Sequence, residues 1–94
     1  MKSKFTQLIL RLCQYYELAG QWDKVVECCR KGLETDDLTE EFYQKLMTCY
    51  HQLGRDADAI KVYRRCCKTL NAVMGVEPSP ETEAIYKRIK GVQR

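Results

Sequence analysis

Apolar residues return at helical spacing along almost the whole chain. Phe5, Leu8, Ile9, Leu12, Tyr16 and Ala19 stand at i, i+3, i+4, i+7, i+11 and i+14, which predicts a first helix over residues 4–18 with these side chains facing the core. Gly20 follows as a stop, because a residue without a β-carbon enters the left-handed region cheaply. Trp22, Val25, Val26, Cys29 and Leu33 predict a second helix ending near Glu34. Thr39, with Glu40 and Glu41 behind it, reads as a hydroxyl cap and an acidic first turn. The third helix then carries Phe42, Tyr43, Leu46, Met47, Tyr50 and Leu53 up to Gly54. Asp56 is read as the cap of a fourth helix with Ala59, Ile60, Tyr63, Cys67 and Leu70, ending near Met74 before Gly75. Ser79-Pro80-Glu81-Thr82 combines a capping hydroxyl, a proline at the first helical position and an early acid, so a fifth helix with Ala84, Ile85, Ile89 and Val92 follows. No segment bounded by turn signals alternates apolar and polar residues, and the predicted fold class is all-α.

Sliding the chain against itself by 34 residues sets Leu12 on Leu46, Tyr16 on Tyr50, Gly20 on Gly54, Val26 on Ile60 and Arg30 on Arg64. The period and these residues resemble the tetratricopeptide repeat. Cys13 and Met47 match that family's small residue on its first helix, Val25 and Ala59 one on its second, and Gly32 and Cys66 another. Trp22 matches its bulky residue after the glycine, where the second repeat has Asp56 instead. The resemblance implies one right-handed helical array: a repeat over residues 4–35, a second over 39–74 and a capping helix over 80–92. It also implies a concave binding surface on the first helix of each pair, made of Gln7, Leu10, Gln14, Glu17 and Leu18, then Glu41, Gln44, Thr48, His51 and Gln52.

A closer resemblance rests on Leu33-Glu34-Thr35-Asp36-Asp37-Leu38-Thr39-Glu40-Glu41-Phe42-Tyr43, on Leu53-Gly54-Arg55-Asp56-Ala57-Asp58-Ala59, and above all on Gly75-Val76-Glu77-Pro78-Ser79-Pro80-Glu81-Thr82. These segments are similar to the bacterial transcriptional activator domain, a tetratricopeptide-like module of streptomycete antibiotic regulatory proteins and related regulators. Plain tetratricopeptide repeats lack the last run. The sequence departs from the family at Val73-Met74, where Glu-Leu is usual. The resemblance implies a non-enzymatic interaction or oligomerisation module in a bacterial transcription regulator or signal-transduction protein, expected to be a fragment of a larger chain. It implies protein partners, either other domains of the same regulator or a second copy. A stand-alone tetratricopeptide adaptor or chaperone that binds peptides is the alternative.

Composition narrows the chemistry. A chain of 94 residues with 45% hydrophobic and 31% charged residues folds as one domain and leaves little stability for a strained catalytic site. A net charge of +3, spread along the chain, is too weak an excess to point to nucleic acid. No apolar run approaches membrane-spanning length, so a cytoplasmic location is expected. The six cysteines lie within helical faces and lack the CxxC spacing that converges on a metal, so compact apolar packing is the leading reading, with metal or redox roles as minor ones. His51 is the single histidine and falls on the polar side of its helix, which leaves no catalytic set around it. No cofactor is expected. Lys61, Arg64, Arg65 and Lys68 share one face of the fourth helix and form a secondary basic surface, solvated or set against a partner's acidic patch. Leu10 and Leu18, eight residues apart, are expected to promote a weak homodimer.

Overall fold

The structure, a computed structural model, describes residues 3–92, with the side chain of Val92 outside the described set. Among the described residues the helices are α1 (Lys4–Leu18), α2 (Trp22–Thr35), α3 (Glu40–Gln52), α4 (Asp56–Met74) and α5 (Pro80–Val92), and no strand occurs. The fold is all-α, as the periodicity predicts. Each helix packs on its successor from α1 to α4, while α5 lies across both α3 and α4. The result is a slab of 41 × 36 × 18 Å, the shape expected when helix pairs stack in a row.

The repeat extends to individual hydrogen bonds. In the first turn Ala19 N donates to Tyr15 O, Gly20 N to Glu17 O and Gln21 N to Tyr16 O; in the second, Leu53 N donates to Cys49 O, Gly54 N to His51 O and Arg55 N to Tyr50 O. Every donor and acceptor moves by 34 residues. Both turns close the preceding helix by the same left-handed glycine motif, with φ +71° at Gly20 and +74° at Gly54. Between the pairs, α2 and α3 approach closely because Gly32 presents no side chain to the Phe42 ring, which fills the space a β-carbon would need. Cys13, Val25, Cys29, Phe42, Tyr43, Met47, Cys49, Ala59, Cys66 and Leu70 form a continuous core, and Ile89 of α5 joins it.

Three local expectations are corrected. Thr39 stands at the N-cap of α3, but its hydroxyl donates to Asp36 Oδ2 at 2.6 Å, which turns it toward the preceding loop, and it caps no amide of α3. Asp56 is the first residue of α4, with Arg55 at the cap position, and its carboxylate takes the His51 ring. On α1 the buried stripe is rotated from the predicted one. Thr6 and Cys13 are buried and Ile9, Leu10 and Tyr16 pack partly on the core, whereas Phe5, Leu8 and Leu12 are exposed. Ala19 is exposed as well. The physical reason is that α1 touches only α2 closely, so one face of a helix carrying apolar residues on two faces stays bare.

Candidate interaction surface

The residues expected on the concave side do not all remain available. Glu17 accepts from Lys45 Nζ at 2.7 Å, tying α1 to α3. Burial acts to lower the Lys45 pKa, but the Glu17 hydrogen bond and charge outweigh it and hold the amine above the usual lysine value. Gln44 donates to Thr82 Oγ1 of α5 at 2.9 Å, and His51 Nδ1 lies 2.7 Å from Asp56 Oδ1. Leu10 is half-buried against the core, so the pairing of Leu10 with Leu18 as one bare patch fails. Leu18 is 84% exposed, Gln7, Gln14 and Gln52 are exposed, and Glu41 and Thr48 are half-buried. The exposed and half-buried polar groups of α1 and α3 thus flank two internal ties, Glu17 with Lys45 and Gln44 with Thr82.

Helix α4 presents the basic stripe as the spacing implies. Lys61, Arg64, Arg65 and Lys68 are all exposed. The cysteines are free thiols: Cys13, Cys28, Cys29, Cys49 and Cys66 are buried and Cys67 is half-buried. Cys13 Sγ and Cys29 Sγ lie 3.5 Å apart. The hydrogen bond from Cys29 and the Lys45 charge lower the Cys13 thiol against the opposing effect of burial, while the same hydrogen bond and burial push Cys29 well up. Burial pushes Cys49 and Cys66 up to about 12 each, which keeps both protonated at neutral pH. Among the described residues no group of three or more His, Cys, Asp or Glu could hold a metal ion, and no helix is long and apolar enough to cross a membrane.

Two features escape a reading from spacing alone. One is a polar lock beneath the capping helix. Glu40 Oε2 accepts from Ser79 N at 2.9 Å and from Thr82 Oγ1 at 2.7 Å, and Thr82 is fully buried. The Ser79-Pro80-Glu81-Thr82 run thus starts α5 and also bolts it to the first turn of α3. The signal was a threonine inside a capping sequence, but its partner is 42 residues away. The other feature is the bare apolar stripe of Phe5, Leu8, Leu12 and Tyr15 on α1.

A two-repeat helical array closed by a bolted terminal helix defines a tetratricopeptide-like helical repeat domain. The chain belongs to the bacterial transcriptional activator domain family, whose profile matches residues 2–90. It is also similar to the transcriptional regulatory protein EmbR of Mycobacterium tuberculosis and of Mycobacterium bovis. In each case identity is 36% over 50 residues, covering 53% of this chain and 13% of the relative. The chain therefore corresponds to a small part of those regulators. No solved structure matches it significantly.

Proposed function

We propose that this domain is a non-enzymatic protein–protein interaction module of a bacterial transcription regulator or signal-transduction protein, acting inside the cell and leaving DNA contact to other domains. The observation that carries the reading is the repeat: two helix pairs superimposable bond for bond at their turns, in a chain of a transcriptional activator family. Such stacks bind through the helix faces they align, because adjacent first helices form one extended surface. Gln7, Gln14, Leu18, Thr48 and Gln52 form the accessible part of that surface, flanked by Glu41. Glu17, Gln44, Leu10 and His51 set its shape from within. The basic stripe of Lys61, Arg64, Arg65 and Lys68 is a second face, suited to an acidic patch.

The test is crosslinking mass spectrometry on the regulator that carries this domain, comparing native protein with Gln14→Ala/Thr48→Ala/Gln52→Ala. Crosslinks from α1 and α3 to another protein domain, lost in the triple variant, support the module. Recovery of free peptide termini instead points to a peptide-binding adaptor. Crosslinks to DNA from this surface would overturn the assignment.

A further inference from the structure

Helix α4 carries a row of positive charge that works against the helix itself. Lys61, Arg64, Arg65 and Lys68 are exposed on the side of α4 opposite its buried Ala59, Cys66 and Leu70. The repeat supplies an internal comparison. Displaced by 34 residues, the same positions on α2 are Glu27, Arg30, Lys31 and Glu34, also exposed, where two acids balance two bases. In α2 both i,i+4 pairs, Glu27 with Lys31 and Arg30 with Glu34, join opposite charges. In α4 both, Lys61 with Arg65 and Arg64 with Lys68, set like charges together, which destabilises a helix. Among the described residues no ion pair relieves the row: the Lys45–Glu17, His51–Asp56 and Arg55–Asp58 pairs use none of the four. The helix dipole does not relieve it either, because cations are stabilising in the last turn and the last turn of α4 holds no base.

We propose that this face of α4 docks a helix of another protein whose Asp or Glu residues recur at i, i+3, i+4 and i+7. The inference rests on the reading of the domain as an interaction module and specifies the partner of its basic face. Charge complementarity selects the occupant, since a helix repeats its side chains at the spacing of the basic row. Two helices lying side by side then bring four carboxylates to four cations over about 10 Å. Ala72 continues the row by one turn and Val73 beside it is 61% exposed, so the row ends in an apolar edge suited to an aliphatic residue one turn beyond the acids. Nucleic acid fits less well, because a phosphate backbone is charged along its whole length, whereas this field ends at Lys68 and the equivalent face of α2 is neutral. A second copy has no matching row. The acids of α2 stand among Arg30 and Lys31, and those of α3, α4 and α5 are confined to the first turn.

The experiment titrates the 94-residue chain, by fluorescence anisotropy, with a synthetic helix carrying glutamate at i, i+3, i+4 and i+7 and leucine one turn further. Its twin has the same composition with the glutamates spread around the helix. At low ionic strength the row peptide should bind about tenfold more tightly than the twin, and its affinity should fall as salt is raised. Lys61→Glu/Lys68→Glu gives α4 the charge pattern of α2. It should weaken binding by about tenfold or more and yet raise the urea midpoint, a pair of opposite changes that a misfolded variant does not produce. Gln14→Ala/Thr48→Ala/Gln52→Ala should leave binding intact, and crosslinks from α1 and α3 are scored apart, so either surface fails without the other. Equal binding of row peptide and twin, no binding, or undiminished binding to Lys61→Glu/Lys68→Glu overturns the proposal. So does tighter binding of an oligodeoxythymidylate or of phosphatidylserine vesicles that the double variant abolishes, which makes a nucleic acid or a membrane the occupant. In the regulator that carries this domain, Lys61 and Lys68 shielded from amine labelling, with no binding of the row peptide, would assign the face to a neighbouring domain of the same chain and overturn it equally.

Discussion

At the residue scale, small side chains decide how closely the helices approach. Alanine normally improves a helix relative to glycine by about 0.5–1 kcal/mol, but at Gly32 the new methyl must displace the buried Phe42 ring. Overpacking outweighs propensity there, and Gly32→Ala should lower stability by about 1–3 kcal/mol in urea unfolding. The cysteines fill similar small spaces. Cys67 is the half-buried thiol and the other five are buried, so a thiol reagent at neutral pH should modify Cys67 first and the rest only as the protein unfolds. Peptide mapping after brief labelling reads the order directly. Their burial also sets a pH dependence. Cys49 and Cys66 ionise at the ordinary value of 9.0 when unfolded but only at about 12 when folded. The native state therefore holds protons that the unfolded chain releases, and stability is full below pH 9 and declines between 9 and 12. Urea midpoints at pH 8 and pH 10.5 should show this decline, and Cys49→Ala/Cys66→Ala should make it shallower, with Cys29, itself pushed up, supplying part of what remains.

At the element scale, helix boundaries were legible because stop and start signals are local. Glycines at Gly20, Gly54 and Gly75 all adopt positive φ, and Ser79-Pro80 opens α5 as its chemistry demands. Replacing Gly20 or Gly54 with alanine should cost about 1 kcal/mol at either turn, given their identical geometry. Facing was less legible. The spacing of Phe5, Leu8 and Leu12 announces an apolar stripe without saying what covers it, and α1 turns the less apolar Thr6 and Cys13 inward instead. The residues expected on a concave surface follow from position in the repeat alone, but the bonds that engage Glu17, Gln44 and His51 depend on partners set by tertiary packing. The α5 bolt is of the same kind. Thr82→Val removes a buried donor from Glu40 and should cost about 1–3 kcal/mol, while Glu40→Gln, which keeps an acceptor, should cost less than Glu40→Ala.

At the scale of the whole molecule, the linear stacking order makes stability uneven. Helix α3 is enclosed: α2 lies on one side, α4 and α5 on the other, and Lys45 reaches back to Glu17. Helix α1 closes the row, packed on α2 and tied to α3 by the Glu17–Lys45 pair, with apolar residues in water on its outer face. In a stack whose stability is a sum of neighbour contacts, an end unit with one neighbour opens at lower free energy than a central unit. The opposite end is better protected, because α5 contributes Ile89 to the core and the buried Thr82 hydroxyl to Glu40. Native-state amide exchange should therefore rank α1 as the fastest helix, α5 as intermediate, and α3 with the facing part of α4 as the slowest. Thr82→Val should accelerate exchange in α5 and leave α1 unchanged, since α1 packs on α2 and α5 on α3 and α4. Uniform exchange across all five helices would mean that the array opens as a single cooperative unit and that the bare end carries no separate weakness.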